Sequence, residues 1–266
     1  MKSSSSRRNP RNAAIRTPDG LDQVYGVHAL ESLLERGEAP RELWVQQGAG
    51  NRLKDVVANA QVSGARIKEQ PREVLDQLTQ GAAHQGVVAF CAPLTPEGEE
   101  SLWLRLRAWH APTPPLLLVL DGVTDVHNFG ACLRSADAAG AHGVIVAKDK
   151  AAPLNATVRK VACGAAEVVP VYQVTNLSRT LAKLKDAGVW ITGTAGEAEA
   201  SVFEIDMTGP TALVMGAEGK GMRRLTRETC DNLAKLPMAG QVSSLNVSVA
   251  TGICLFEAVR QRQLAS

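Results

Sequence analysis

The chain has 266 residues, of which 45% are hydrophobic and 21% charged, and its formal net charge is +2. A chain of this length and apolar content can bury a large core, so its composition excludes wholesale disorder, a collagen-like repeat and a disulfide scaffold. The nearly balanced charge does not by itself indicate a nucleic-acid partner, and the length predicts about two domains.

The first segment of the chain is strongly basic. Residues 1–16 contain one lysine, four arginines and no acidic residue, among serine, asparagine and proline. Residues 1–22 are therefore predicted to be a disordered basic tail, either a solubilising extension or an arm that seeks phosphate groups. No apolar run follows the basic residues, so the pattern is not that of a secretory signal.

Residues 23–92 are predicted to form a small α/β unit, because apolar residues recur there at helical and strand spacing. The predicted elements are helices over 27–36, 53–62 and 71–78 and strands over 42–46, 66–68 and 86–91. Residues 93–115 hold five prolines around a short amphipathic piece. They are predicted to be a proline-rich linker with a turn or two of helix.

Residues 116–266 alternate apolar strands with helical patterns. The run over 116–121 is continuously apolar until its final acid, which is typical of a strand buried on both faces. Further strands are predicted over 143–146, 168–171, 189–192, 211–215 and 233–236, and helices over 129–140, 155–162, 176–187, 223–231 and 247–262. This alternation predicts an α/β fold with a mostly parallel sheet, which binds ligands beyond the carboxyl ends of its strands.

The polar residues and the placement of the cysteines argue against a membrane-spanning protein and against a metal-binding protein. The uncharged segment 236–256 is long enough for a membrane span, but its serines, asparagine and threonine would be costly in lipid, so no membrane contact is expected. The five cysteines are scattered without a C-x-x-C pair. They predict reduced thiols, no metal site and a cytoplasmic location.

Three loops that follow predicted strands carry the candidate chemistry. In residues 121–134, Asn128 can cap the next helix, and Arg134 lies about one and a half turns into it. Residues 216–221 read GAEGKG, which lets a ligand approach the backbone but lacks the Lys-Ser/Thr pair of a phosphate-binding P-loop. Residues 236–248 alternate small polar and apolar side chains. Taken singly, each loop is also compatible with an ordinary cap, turn or solvated face.

Together the three loops resemble the SpoU branch of the SPOUT methyltransferases, which transfer a methyl group from S-adenosylmethionine to a ribose 2′-hydroxyl of RNA. The motifs are Asn128-x-Gly130-x-x-x-Arg134, Gly216-x-Glu218-Gly219-x-Gly221, and Pro237-Met238 through Ser244-Leu245-Asn246-Val247-Ser248. The earlier stretch Tyr25-Gly26-Val27-His28-Ala29 is similar to the opening of the L30e-like RNA-binding domain that precedes them in the family. The resemblance covers about residues 23–262.

The resemblance implies a fold that spacing cannot predict. Residues 23–92 would be an L30e-like substrate-binding domain, and residues 116–266 a SPOUT catalytic domain. Its C-terminal segment would form a deep trefoil knot that binds the cofactor, although knots are nearly absent from proteins. The resemblance also implies a homodimer, S-adenosylmethionine as the cofactor, and a guanosine in the peptidyl-transferase P loop of 23S rRNA as the target.

The resemblance also assigns roles to single residues. The implied catalytic set is Arg134, Asn128, Glu218, Ser244 and Asn246, and the implied cofactor contacts are Gly216, Leu236, Met238, Leu245 and Thr194. Because a guanidinium group keeps its proton at neutral pH, Arg134 is expected to hold phosphate and to stabilise developing negative charge rather than to act as a plain base.

Three alternatives remain open at this point. The chain could act on the ribose of tRNA, it could be a non-catalytic rRNA-binding assembly factor, or it could be a nucleotide-dependent enzyme that uses the loop 216–221. The intact motifs, Arg134 included, weigh against the second, and the missing Lys-Ser/Thr pair weighs against the third.

Overall fold

The structure is a computed structural model that describes Ile15 and residues 17–35 and 37–265, without the side chain of Arg52. Most of the basic tail predicted over residues 1–22 lies outside the described residues.

The N-terminal unit is a four-stranded sheet with helices. Its elements are β1 Asp22–Tyr25, α1 Val27–Glu35, β2 Glu42–Gln46, α2 Lys54–Val62, β3 Arg66–Gln70, α3 Arg72–Thr79 and β4 Val87–Cys91. The strand order is β1-β4-β2-β3. The pair β2–β3 is parallel and the other two pairs are antiparallel. The three helices and three strands predicted here are confirmed. The apolar residues of α1 and α2 pack into one core, and Leu75 of α3 packs into a second one.

This unit also contains chain that was predicted to be tail. β1 begins at Asp22 and pairs with β4 along its whole length. Ile15 and Leu21 pack against an aromatic cluster that includes Trp44 and Phe90. The strand escaped prediction because four residues of mixed polarity give no periodic signal.

The second unit is built on an eight-stranded sheet whose neighbouring strands are parallel at every pairing. Its elements are β5 Glu97–Gly98, α4 Glu99–Arg107, β6 Leu116–Asp121, α5 Val126–Ala138, β7 Gly143–Ala147, α6 Ala156–Ala162, α7 Ala165–Val168, β8 Val171–Val174, α8 Leu177–Asp186, β9 Trp190–Thr194, β10 Ala200–Ser201, β11 Thr211–Gly216, α9 Arg224–Thr229, β12 Asn232–Lys235 and α10 Val247–Ala265. The strand order is β10-β12-β9-β11-β6-β7-β8-β5. The predicted α/β class is confirmed.

The segment predicted as a linker over 93–115 is part of this packing. β5 pairs with β8 at the edge of the large sheet, and Leu102 of α4 is buried in the same core as Tyr172. The prolines lie outside the helix, which has Glu99 and Glu100 in its first turn and arginines in its last, an arrangement that complements the helix dipole.

The strand predicted over 168–171 is wrong in position. Residues 165–168 form the short helix α7, and the strand runs from Val171 to Val174. Pro170 has no backbone N–H to give to a sheet, so regular pairing starts after it. The other strands predicted in this unit lie within two residues of their expected positions.

Strand order places the candidate loops side by side. β11 lies between β6 and β9, so the loops that follow β6 and β11 are adjacent at the carboxyl edge of the sheet. The long helix α10 packs on α5, where Cys132 and Thr251 lie in one buried contact with Sγ and Oγ1 3.5 Å apart. None of the helices in the described part of the chain has the length and apolar character that a membrane crossing requires. The trefoil knot stays a prediction.

Candidate functional site

Side chains from the three predicted loops meet at one point. The Asn246 Nδ2 donates to Glu218 Oε1 at 2.7 Å and to Asn128 Oδ1 at 2.9 Å, and Asn128 Nδ2 donates to Glu218 Oε1 at 3.1 Å. The backbone N–H of Val247 also donates to Glu218 Oε1, at 3.3 Å. We call Asn128, Glu218 and Asn246 the amide–carboxylate cluster. It joins residues 118 positions apart in the chain.

Helix starts hold two members of this cluster in place. Asp125, not Asn128 as expected, is the N-cap of α5, and it accepts a hydrogen bond from the Asn128 N–H at 2.8 Å. This frees the Asn128 side chain for the cluster. Asn246 stands directly before α10, and its Oδ1 accepts from the Ser248 N–H at 2.9 Å. Both amides are therefore fixed by backbone geometry as well as by each other.

A cavity of about 690 Å³ opens beside the amide–carboxylate cluster. Its walls are residues 194–197, the glycine-rich loop 216–222 and residues 243–247, with Arg227 and Ala250. This volume lies within the range of small-molecule sites, roughly 300–1,000 Å³. Of the predicted site residues, those on its walls are Thr194, Gly216, Glu218, Ser244, Leu245 and Asn246.

The glycine-rich loop approaches itself too closely for any side chain at its first position. A Cβ on Gly216 would lie 2.4 Å from the backbone of Gly221 and Met222. The loop is closed by two backbone hydrogen bonds between Ala217 and Gly221, of 3.1 and 2.8 Å. The cavity wall is therefore made largely of backbone, which a ligand can touch directly.

Sequence reasoning missed the residue that ties this loop to the first one. Asp121, at the end of β6, is fully buried and accepts a hydrogen bond from the Arg223 N–H at 2.7 Å. The Arg223 Nε lies 3.3 Å from the other carboxylate oxygen. The sequence did contain a signal for Asp121, because it is the one acidic residue at the end of an otherwise apolar strand. Gly196 and Glu197, which line the cavity after β9, were also missed, and Glu197 is paired with Arg227.

Four predicted site residues do not line this cavity, and one of them, Asn128, belongs to the amide–carboxylate cluster beside it. Leu236 packs against the core of the second unit, and the side chain of Met238 is exposed. The chain after Leu236 turns outward, so that Val242 is 63% exposed. Arg134 is also exposed, with its Nη1 3.7 Å from the Sγ of Cys163.

The donor set of the cavity fits an S-adenosylmethionine-like molecule. Backbone groups of the glycine-rich loop and the hydroxyl of Thr194 suit a neutral purine and ribose, and the apolar side chains of Leu245 and Met215 offer packing surface. No group of three metal-binding side chains occurs within the described ranges.

A parallel sheet with a backbone-lined cavity at its carboxyl edge defines an α/β enzyme that binds a nucleoside-type cofactor. The chain belongs to the SpoU rRNA methylase family, whose profile matches residues 115–256. Residues 23–97 match the substrate-binding domain of RNA 2′-O ribose methyltransferases.

Relatives and solved structures agree with this membership. The chain is 56% identical over 246 residues to the 23S rRNA (guanosine-2′-O-)-methyltransferase RlmB of Pseudomonas putida, covering 92% of this chain and 98% of the relative. It is 54% identical over 243 residues to the enzyme of that name from Escherichia coli K12, covering 91% and 99%. The SpoU methyltransferase AviRb of Streptomyces viridochromogenes, solved with AdoMet, superimposes with a TM-score of 0.74 at 26% identity, over 92% of both chains.

Proposed function

We propose that this protein transfers a methyl group from S-adenosylmethionine to the ribose 2′-hydroxyl of a guanosine in 23S rRNA. The observation that carries the proposal is the convergence of Asn128, Glu218 and Asn246 beside a cavity of the right size and lining. The relatives named above supply the substrate, because the similarity extends across both units of the chain.

Thr194, Gly216 and Leu245 would hold the cofactor, chiefly through backbone and apolar contacts. When bound, S-adenosylmethionine supplies an electrophilic methyl group on a sulfonium. Ser244 stands on the same wall and offers a hydroxyl. The close backbone approach at Gly216 keeps this wall rigid, which helps to prealign the reacting groups.

Arg134 would hold a phosphate of the RNA and stabilise negative charge as it develops on the ribose oxygen. Its guanidinium suits this role because it carries a permanent charge and donates two parallel hydrogen bonds. The amide–carboxylate cluster would fix the loops on either side of that ribose. The ribose proton would pass to a neighbouring phosphate or to water.

The finer parts of the proposal concern the target nucleotide, the assembly and the compartment. We place the target in the peptidyl-transferase P loop and the enzyme in the cytoplasm, where ribosomes are built. A homodimer is supported by α10, on which Val249, Ile253 and Phe256 are 51%, 37% and 50% exposed at the spacing of one helix face. An exposed apolar face of this kind typically marks a protein interface.

Methyl transfer tests the function directly. Purified protein, labelled S-adenosylmethionine and undermethylated 23S rRNA should give one 2′-O-methylguanosine, whose position is mapped by primer extension. Arg134→Ala should still bind cofactor by calorimetry but lose turnover. Arg179→Ala, which removes an exposed arginine from α8, is the matched control and should remain active. Equal activity of the two variants would remove Arg134 from the mechanism.

The same assay decides between the alternatives. Transfer to tRNA but not to rRNA would replace the proposed substrate with the tRNA alternative. Binding of rRNA with no transfer under any condition would support the non-catalytic alternative.

A further inference from the structure

A second cavity, of about 300 Å³, lies between the two units. One wall comes from the N-terminal unit and includes Tyr25, His28 and Gln85, and the other comes from the second unit and includes Lys160 and Cys163. We call it the interdomain cleft. It shares no lining residue with the cofactor cavity, so it is a separate space.

The interdomain cleft ends next to the proposed ribose site. The Sγ of Cys163, on the cleft wall, lies 3.7 Å from Nη1 of Arg134. Tyr25 of the N-terminal unit lines the same cleft as Cys163. The wall of the cleft therefore reaches the guanidinium of Arg134 through Cys163.

A buried arginine fixes the two walls of the cleft relative to each other. Arg159 of α6 pairs with Glu167 of its own unit. Its Nη1 also donates to the carbonyl oxygen of Ala92 at 3.0 Å and lies 3.6 Å from Oδ2 of Asp22, both at the N-terminal unit. On the cleft wall itself, Lys160 Nζ donates to Gln80 Oε1 at 3.3 Å. The cleft is therefore a preformed space.

Several polar groups of the cleft can donate hydrogen bonds, and the carboxylate of Glu167 on its wall is paired with Arg159. Gln85 has the rare left-handed backbone conformation, with φ of 51°, and its Oε1 accepts from the Val27 N–H at 2.8 Å. This contact uses the acceptor of the amide and leaves its Nε2 as the group for a ligand. Lys160 adds an ammonium group, and Tyr25 adds a hydroxyl. Non-glycine residues in such conformations concentrate at binding sites.

We infer that the interdomain cleft holds the guanine base of the nucleotide whose ribose lies at Arg134, and that Lys160 and Gln85 select this base. The inference rests on the proposed function and adds the place where base identity is read. Guanine offers two acceptors, O6 and N7, on one edge, which match the lysine and amide donors. Adenine has a donor at the position of O6. Single unstacked bases are the usual targets of sequence-specific RNA recognition.

Cysteine alkylation tests occupancy of the cleft without an activity readout. Cys163 is the exposed cysteine of the five. Burial raises the pKa of Cys91 and Cys254 to about 12 and that of Cys132 and Cys230 to about 11, so these thiols stay protonated near neutral pH. Iodoacetamide should modify Cys163 in the full-length protein, and an rRNA fragment that contains the target should slow this modification at least about tenfold. A bound fragment that leaves the Cys163 rate unchanged would overturn the inference.

Base selection is tested by changing both partners. Wild-type protein should methylate a fragment with guanosine at the target position in preference to one with adenosine. Lys160→Ala and Gln85→Ala should each reduce this preference about tenfold or more, through KM for the RNA, with cofactor affinity unchanged. Lys54→Ala, which removes an exposed lysine from α2, is the matched control and should keep the preference.

Unchanged base preference in both cleft variants would refute the assignment. Failure of the proposed function looks different, because wild-type protein would then methylate neither fragment. In that case protection of Cys163 by RNA would still report on the cleft.

Discussion

The carboxylate of Glu218 accepts hydrogen bonds from two asparagine amides and one backbone N–H, so its neighbours must be donors. Asn128→Asp would replace a donor 3.1 Å away with a second carboxylate. Two carboxylates this close cannot both stay ionised without repulsion. We expect kcat to fall about tenfold or more at neutral pH, since one lost charge-assisted hydrogen bond costs roughly 1.5–3 kcal/mol.

The pH profile separates repulsion from simple loss of a contact. The repulsion is present while both carboxyl groups are ionised, and it is relieved when one of them takes up a proton as the pH falls. Activity of Asn128→Asp should therefore recover toward that of the wild type at acidic pH. Asn128→Ala removes the donor without adding charge and should be impaired to the same degree at every pH. Identical profiles for the two variants would mean that the cluster is not assembled in solution.

At the residue scale, the sequence predicted the position of a site side chain well where the backbone geometry next to a strand or helix fixes that side chain. The family resemblance implied a catalytic set of Arg134, Asn128, Glu218, Ser244 and Asn246. The structure joins Asn128, Glu218 and Asn246 by hydrogen bonds, because each lies within a few residues of a strand end or helix start. Leu236 and Met238, which were also predicted as cofactor contacts, are not among the residues that line the cavity. Their placement depends on how an irregular loop turns, and local sequence carries little of that information.

At the element scale the glycine-rich loop makes a sharp prediction. Gly216→Ala would place a methyl group 2.4 Å from two backbone atoms of the same loop, a distance that requires the loop to move. We expect cofactor affinity to fall at least about tenfold, because the wall that the loop forms is displaced. Calorimetry of the purified protein measures this.

The matched control is Gly209→Ala, where no atom lies within 4 Å of the added methyl group. It should bind cofactor as the wild type does. Wild-type affinity in Gly216→Ala would show that the cofactor does not rely on this wall.

Helix α6 supports a second prediction at this scale. Arg159→Met would leave Glu167, 1% exposed, and Asp22 without their buried cation. Breaking a buried ion pair in this way typically costs about 3–5 kcal/mol. Urea unfolding should show a stability loss of that order. Arg224→Met breaks the exposed pair with Glu228 and should cost less than about 1 kcal/mol. Similar losses in both variants would contradict the bridging role of Arg159.

Elements with strong periodicity were predicted well, and short or proline-bounded ones were not. β2 has the predicted bounds, and α1 and α2 lie within a residue of them. β5 and β10 contain two residues each and exist only because a neighbouring strand pairs with them. The number of prolines around α4 indicated a linker. Prolines that lie outside a helix do not prevent that helix from packing against a core.

At the scale of the whole molecule, local sequence is silent about strand order. The insertion of β11 between β6 and β9 brings the loops after β6 and β11 together, and no spacing in the sequence encodes this. The class of the sheet could be predicted because continuous apolar strands alternate with helices. The arrangement of the two units, and with it the interdomain cleft, depends on the long-range contacts of Arg159.

The homodimer predicted at this scale depends on the exposed apolar face of α10. Phe256→Glu and Ile253→Asp each place a charge in the centre of that face, where burial without a partner is costly. We expect either change to shift the protein from dimer to monomer in sedimentation equilibrium, with an unchanged far-UV spectrum because both side chains are partly exposed in the single chain.

Val62→Glu provides the matched control for that shift. Val62 is 89% exposed on α2 of the N-terminal unit, so the same kind of apolar-to-acidic change is made away from α10. This variant should remain dimeric. If the α10 variants sediment as the wild type does, the apolar face of α10 is not the dimer interface. If instead the wild type is already a monomer at micromolar concentration, the homodimer itself is refuted. In either case methyl transfer by the same samples shows whether the active site needs a second chain.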